Sequence, residues 1–429
     1  MAFGEHEAVW SRHSTWLSIA LSQLSRRLTP GGLAQSAGCY DSESVPPTHV
    51  TTLSLLALPL AALLMGSLVY SLLTVVAARN YLKTQPTPPP KVLPPISILT
   101  PLAGVDLGLE ENLRSSFQQD YPEFEVVFAI RQADDPSVPV ARRVMSAFPR
   151  VPSTLIVAGE PDCANAKVFS LARMTAVAQF DLLVMNDSDI RAPRNMLRTV
   201  AAEFQDAAVG LVTCPYRAIP GRSWPSKLEA LLMNTQFLGG VLVARMLEGM
   251  KFALGPSLIV RRSALERIGG WTSLKDFLAE DFVIGKLISE AGHRVILSSC
   301  VVEHHIGSSG IASNLAHRIR WVRSTRRSRP KGYVGEIFTN PLPLALALWL
   351  VLPATWPLLV VTVVFRALSV AAIAGWVLRD SLCARLFWAL PLQDILAFLI
   401  WVAGFFGNRI TWRGRNYYLH RDGRFELIG

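Results

Sequence analysis

The sequence predicts an α/β, doubly wound domain flanked by transmembrane helices. Three observations predict it. Between about residues 95 and 305, short apolar runs alternate with helical patterns, as βαβ units do. One run, Leu182-Leu-Val-Met185, feeds straight into Asn186-Asp-Ser-Asp189, and ligands in open α/β sheets bind beyond the carboxyl ends of the strands. The apolar excess, 51% of all residues, is uneven: it concentrates at about 52–77 and 341–406, long enough to cross a bilayer.

A chain of 429 residues has room for more than one domain. The stretch between the apolar segments is ample for a hydrophobic core. The formal net charge is +10. Nucleic acid is one reading of a basic chain, but here Arg and Lys cluster beside the apolar segments. That fits the positive-inside rule and anionic headgroups, so no nucleic-acid partner is expected. Cys39, Cys163, Cys214, Cys300 and Cys383 are scattered and odd in number, with no metal or disulfide spacing. They are expected to be reduced core residues of a cytosolic domain.

Residues 1–50 are weakly patterned and show no signal peptide, so poor order is expected. Residues 51–78 read as a transmembrane helix. Arg79 and Lys83 follow it and put the next domain in the cytoplasm. The Pro-rich linker, 79–94, is a stiff spacer. The α/β domain covers 95–335. Its strands are expected at Ile96–Thr100, Phe124–Ile130, Thr154–Val157, Leu182–Met185, Val209–Cys214, Gly255–Val260 and Arg294–Val302. Helices are expected at Leu109–Gln119, Val140–Phe148, from Ala166 to Phe180, Lys227–Glu248, Ser263–Ile268 and from Glu280 towards Gly292.

The domain ends in a basic run. Arg318, Arg320, Arg323, Arg326, Arg327, Arg329 and Lys331 follow His317, suggesting an interfacial helix that faces phosphate, of lipid or nucleotide. Residues 336–408 are expected to hold two spans, with part of 362–380 at the interface, though three helices can be drawn. Asp394 lies inside an apolar stretch, where an acid is costly and is usually paired or functional. The basic tail, 409–429, should stay cytoplasmic.

Asp187 and Asp189 sit at i and i+2 in a turn, which can aim two carboxylates at one hard cation, Mn²⁺ or Mg²⁺. Taken alone, Asp-Ser-Asp is also ordinary turn chemistry. Glu280 and Asp281 open a helix, where acidic residues suit the dipole in any case. Arg320 offers a bidentate fork for a diphosphate. Trp321 could wall a substrate site or anchor a membrane interface. Glu303-His304-His305 could add metal ligands, but an ordinary strand end is the weightier reading.

Several motifs together carry a resemblance. They are Pro101-Leu-Ala-Gly-Val-Asp106, Gln119-Asp-Tyr-Pro122, Asp134-Asp-Pro136, Asp187 with Ile190-Arg191, Leu278-Ala-Glu-Asp281, and Ile319-Arg-Trp321. The chain resembles the membrane-bound inverting glycosyltransferases with a GT-A fold, in the broad family 2 group. Within that group it looks most like the ceramide glucosyltransferases. The resemblance covers about 95–335 and the flanking helices. It implies an inverting transfer of a hexose, glucose first, from a UDP-sugar to a ceramide-like membrane lipid hydroxyl. It also implies a multi-pass membrane protein with a Mn²⁺ or Mg²⁺ cofactor.

The resemblance implies Asp281 as catalytic base and Asp187 and Asp189 at the metal. Lys167, Asp187, Glu280, His317, Arg320 and Trp321 would meet substrate. At the first acidic motif, which in the family holds the uridine, the family's aspartate falls on Gln132. Asp134 and Asp135 follow two and three residues later, so which of these two aspartates meets the base is open. His317 replaces the family's Gln or Arg. Two rivals share the layout: a hopanoid-type lipid N-acetylglucosaminyltransferase, and a catalytically inactive scaffold that only binds sugar nucleotide.

Overall fold

The structure, a computed structural model, describes residues 48–84, 88, 90, 92–308, 310–412 and 415–428. The expectation for residues 1–47 and that for 85–87, 89 and 91 of the linker lie outside the described residues.

The first helix, α1 (Thr48–Leu82), contains the expected span. The α/β domain then runs β1 (Ile96–Pro101), α2 (Leu109–Phe117), β2 (Phe124–Ile130), α3 (Val138–Ala147), β3 (Ser153–Val157), α4 (Ala166–Val177), β4 (Leu182–Asn186), β5 (Ile190–Arg191), α5 (Met196–Glu203), β6 (Val209–Thr213) and β7 (Tyr216–Pro220). Helix α6 (Trp224–Leu232) continues through a π turn, Met233–Phe237, into α7 (Leu238–Glu248). Next come β8 (Ser257–Arg261), α8 (Arg262–Arg267), α9 (Glu280–Glu290), β9 (Arg294–Leu297) and β10 (Val302–Ile306). After them stand α10 (Ile311–Ser328), α11 (Pro330–Gly335), α12 (Pro341–Val351), α13 (Trp356–Val370), α14 (Ser381–Arg385) and α15 (Leu390–Gly404). The chain closes with β11 (Arg409–Trp412), β12 (Arg415–Leu419) and β13 (Phe425–Leu427).

The main sheet has strand order β3-β2-β1-β4-β8-β6-β9. Strands β1 to β4 are parallel, so their carboxyl ends share one edge. Ile98, Val126, Val127, Leu183 and Val184 are fully buried, because helices cover both faces and parallel strands of this kind read as unbroken apolar runs. Strand β8 pairs antiparallel with both β4 and β6, so the sheet is mixed. It matches the expected doubly wound α/β class with one reversed strand.

The expected strand 294–302 is in fact two. Backbone N–H of Ser299 donates to the Glu203 carboxylate, and that of Cys300 to Ser298 Oγ. Such side-chain acceptors take the backbone out of the ladder. Strand β10 then joins a second sheet, β5-β10-β7, above the carboxyl end of β4.

Among the described residues, four helices are long and apolar enough to cross a membrane: Leu56–Leu82, Trp224–Glu248, Pro353–Val377 and Phe387–Gly404. A further pair, Pro330–Thr339 and Pro341–Val351, is bent by 63°. Helix 353–377 is continuous where part of 362–380 was expected at the interface. Asp394 is paired: Arg366 Nε and Nη2 donate to its two oxygens, each at 2.8 Å, and both residues are buried.

The basic run differs from the expectation of a helix facing phosphate. Arg323 Nε donates to the carbonyl of Phe406 at 3.1 Å, and Arg326 Nη2 to that of Gly407 at 2.8 Å. Arg326 also reaches the carbonyl of Phe405, and Arg327 reaches Asn408. These cations serve the carbonyls past the end of α15, where the helix dipole is negative. Arg318 is buried and faces Gln393.

The tail is a folded antiparallel sheet, β11-β12-β13. Ile410, Tyr417, Leu419 and Phe425 pack on Leu278. The backbone N–H of Phe425 donates to the carbonyl of Asp276 at 2.9 Å, and Phe277 bridges to Arg424.

Candidate active site

The carboxyl end of β4 carries the first part. Asp187 N–H donates to the carbonyl of Pro256, and Ile190 N–H turns back onto that of Asp187. This tight turn separates the two aspartates. Asp187 faces Lys167, whose Nζ lies 2.7 Å from Oδ1. The same Nζ lies 3.2 Å from Glu280 Oε1. Lys167 stands in the first turn of α4, capped by Asn165, whose Oδ1 accepts from the N–H groups of Lys167 and Val168. A cation there opposes the dipole; two carboxylates offset it. The Asn165 Nδ2 donates to the carbonyl of Phe277 and to Glu280 Oε2 at 3.2 Å, so one residue aligns the starts of α4 and α9.

Asp281 follows Glu280 at the N-terminus of α9. A Cβ on Gly255 would lie 2.7 Å from Asp281 Oδ2, so only glycine lets the backbone approach this carboxylate. A small pocket runs between Lys167, Gly255, Trp271, Glu280 and Asp281. Burial, reinforced by Glu280, pushes the Asp281 carboxyl up to about 7. Burial also raises Asp187, to about 6, against the pull of Lys167. Burial works against the Lys167 charge, but Asp187 and Glu280 outweigh it and hold the amine protonated.

Asp189 is held differently. His304 Nε2 lies 3.1 Å from its Oδ2, brought there by antiparallel pairing of β10 with β5. Burial raises the Asp189 carboxyl, but His304 outweighs it and the net shift is down. Asp189 Oδ1 is buried without a hydrogen-bond partner. For a hard divalent cation the donors fit in part. An unpartnered carboxylate oxygen stands beside a second carboxylate and an imidazole. Among the described residues, no group of three His, Cys, Asp or Glu could hold a metal by itself. Magnesium-type sites often need only one or two carboxylates, with phosphate oxygens completing the shell.

The remaining expected residues are spread around this centre. Asp135 Oδ1 accepts from the N–H groups of Gly104, at 3.1 Å, and Ser137, at 2.9 Å. It thus braces the loop after β1, while Asp134 and Gln132 are exposed. That loop reaches the centre through Asp106, which accepts from Ser188 Oγ at 2.6 Å. His317 Nδ1 lies 3.2 Å from the buried Glu229, and its ring meets Trp321 edge-on at 5.1 Å. Trp321 packs on Phe237 at 6.2 Å, Phe237 on Tyr216 at 5.5 Å, and Tyr216 edge-on against His304 at 5.4 Å. The Arg320 guanidinium lies 5.9 Å from the ring centroid of Trp412 in the tail sheet.

The structure therefore brings Lys167, Asp187, Glu280 and Asp281 into one cluster, with Asp189 beside it. His317 and Trp321 join it through an aromatic row. Asp134 is exposed, Asp135 braces the loop after β1 and Arg320 sits over Trp412, while β2 ends on the same sheet edge as the cluster. Sequence reasoning weighed His304 as a metal ligand but favoured an ordinary strand end, and it foresaw neither the close approach at Gly255 nor the tail sheet. The only signal for His304 was the Glu303-His-His305 run.

A family model described as glycosyl transferase family 21 matches residues 59–425. The chain belongs to this family. Its fold is GT-A: a mannosyltransferase from Pyrobaculum calidifontis, solved with GDP-Man and Mn²⁺, superposes with a TM-score of 0.51 at 21% identity, covering 82% of this chain and 97% of that one. Among similar proteins, ceramide glucosyltransferase 1 of Caenorhabditis elegans is 26% identical over 247 residues, which is 57% of this chain and 52% of the relative. The chain thus spans about half the length of that relative, and likewise of ceramide glucosyltransferase 3 of the same organism. A ceramide glucosyltransferase of Gibberella zeae is 21% identical over 493 residues, covering 86% of this chain and 93% of the relative.

Proposed function

We propose that the chain transfers a hexose, glucose first, from a UDP-sugar to a hydroxyl of a ceramide-like membrane lipid, with inversion. The observation that carries the reading is Asp281: a half-buried carboxyl raised to about 7, set at a helix start beside the Lys167–Asp187–Glu280 cluster. A base poised near the working pH is what proton removal from an alcohol requires. In the proposed step Asp281 takes the hydroxyl proton as the acceptor oxygen bonds to the anomeric carbon. The bond from that carbon to the diphosphate breaks, and UDP leaves with the electron pair.

Asp189, with Asp187 and His304 beside it, would hold a divalent cation, which when bound neutralises charge on the leaving diphosphate. Lys167 keeps Asp187 and Glu280 in place. Trp321, with His317 behind it, would border the sugar or acceptor, and Arg320 would reach the diphosphate from its seat on Trp412. Asp134 or Asp135, just past the end of β2, would meet the nucleotide base. The α/β domain would face the cytoplasm, given Arg79 and Lys83 directly after the first apolar helix.

The test is turnover. Purified chain in lipid nanodiscs, given UDP-glucose and a short-chain ceramide, should yield UDP and a β-linked glucosylceramide. Transfer to hopanoid acceptors from UDP-N-acetylglucosamine instead would change the substrate. UDP-sugar binding without turnover on any acceptor would favour a scaffold.

A further inference from the structure

The helices outside the sheet border a second, small and open cleft. Its lining is polar where membrane-depth helices are usually apolar. Tyr70, Thr235, Gln236, Thr339, Arg366 and Ser369 all face it. Most of these groups are already satisfied. Arg366 is neutralised by both oxygens of Asp394 and also donates to Thr235 Oγ1 at 3.3 Å. Ser369 Oγ donates back to the carbonyl of Arg366.

Gln236 is different. Its Nε2 donates to Thr339 Oγ1 and, at 3.4 Å, to Asn340 Oδ1. Its Oε1 is buried and accepts nothing. An unpaired buried acceptor costs free energy that a ligand's N–H or O–H would recover.

The π turn Met233–Phe237 sets this residue in place, and π turns inside α-helices are frequent at functional sites. Gln236 lines the cleft. The next residue, Phe237, packs on Tyr216 and Trp321 in the aromatic row that ends at His304. A row of aromatic rings thus links the cleft to the candidate active site, from Phe237 through Tyr216 to His304. An anionic lipid would need a free cation here, and Arg366 is already matched by Asp394. The lining suits a neutral ligand that brings hydrogen-bond donors.

We propose that this cleft binds the polar linkage of the lipid acceptor, with Gln236 Oε1 accepting from the acceptor's amide N–H. This rests on the reading that the acceptor is ceramide-like. It adds that Gln236 selects an amide-linked lipid over an ester-linked one, because an ester has no N–H to give.

The test uses the full chain in nanodiscs, UDP-glucose as donor, and two acceptors: short-chain ceramide and a diacylglycerol of equal chain length. Gln236→Leu should raise the KM for ceramide about tenfold and narrow the ceramide-to-diacylglycerol ratio. The dissociation constant of UDP should change less than about twofold. Thr339→Val removes the bond to Gln236 Nε2 but spares Oε1, so it should keep the amide preference. An unchanged ceramide KM, an equal loss on both acceptors, or a parallel loss of UDP affinity in Gln236→Leu would overturn the proposal. If the wild-type chain glucosylates no ceramide, the reaction reading fails, and a photoreactive N-acyl lipid then decides the cleft. Crosslinking to peptide 230–240 that is competed by ceramide but not by diacylglycerol supports it, and its absence overturns it. The same crosslink decides the matter if Gln236→Leu does not fold.

Discussion

Replacing Asp281 with Asn separates its chemistry from its cost to the fold. The side chain keeps its shape and loses its basicity. A positioned base contributes roughly 10²–10⁴-fold, so kcat should fall by at least about two orders of magnitude, or ~2.7 kcal/mol of barrier. Stability should move the other way. Burial and Glu280 raise this carboxyl from 3.8 to about 7. The folded chain then holds a proton that the unfolded chain releases between those values, so wild-type stability falls as pH rises from about 4 through 7. At about 1.4 kcal/mol per tenfold, the full penalty above pH 7 is on the order of 4 kcal/mol, and less where water reaches the carboxylate. Asp281→Asn escapes it.

The assays are kcat against pH, UDP binding, and melting temperature at pH 5 and pH 8. Wild-type kcat should climb through about pH 7 and level off. The variant should be slow at every pH, bind UDP normally, and melt higher than wild type at pH 8 by more than at pH 5. Near-normal turnover would refute the base assignment, and a joint loss of UDP affinity would point to a metal ligand. Glu280→Gln is the neighbour control: a dead Glu280→Gln beside an active Asp281→Asn would move the base by one residue.

Three further outcomes are expected. Chelator should abolish transfer, Mn²⁺ or Mg²⁺ should restore it, and Asp189→Ala should weaken UDP-sugar binding; full activity in chelator would remove the metal role. Gly255→Ala puts a methyl 2.7 Å from Asp281 Oδ2, so it should lower kcat at least about tenfold through a misplaced base while UDP binding persists, and normal kcat would show that the site relaxes freely. A single cysteine engineered at an exposed position within 95–335 should resist an impermeant thiol reagent in intact cells, and ready labelling would reverse the orientation.

The parts of the site legible in the sequence are those set by short-range pattern. The run Leu182–Met185 had to be a buried strand, and its turn had to sit at a sheet edge. Glu280-Asp281 had to open a helix. What was not legible depended on pairing between distant segments. His304 meets Asp189 only because β10 leaves the main sheet and pairs with β5, and nothing local in Val302–Ile306 specifies that partner. The arginines after Arg318 read as a helix facing phosphate because their acceptors, the carbonyls of Phe405, Phe406 and Gly407, lie some eighty residues on. In the tail, alternation did exist at Tyr417 and Leu419, but the arginines on either side, Arg415 and Arg421, masked a sheet whose apolar side rests on Leu278.

That tail also supports the candidate site from a distance in sequence. The loop 275–278 leads into the helix that presents Asp281, and it takes a backbone hydrogen bond from Phe425. The strands of the main sheet all lie within residues 96–297, so the brace on this loop comes from outside the stretch that builds the sheet. A change at Phe425 that loosens β13 would therefore reach the start of α9 without touching the strand that leads to Asp187.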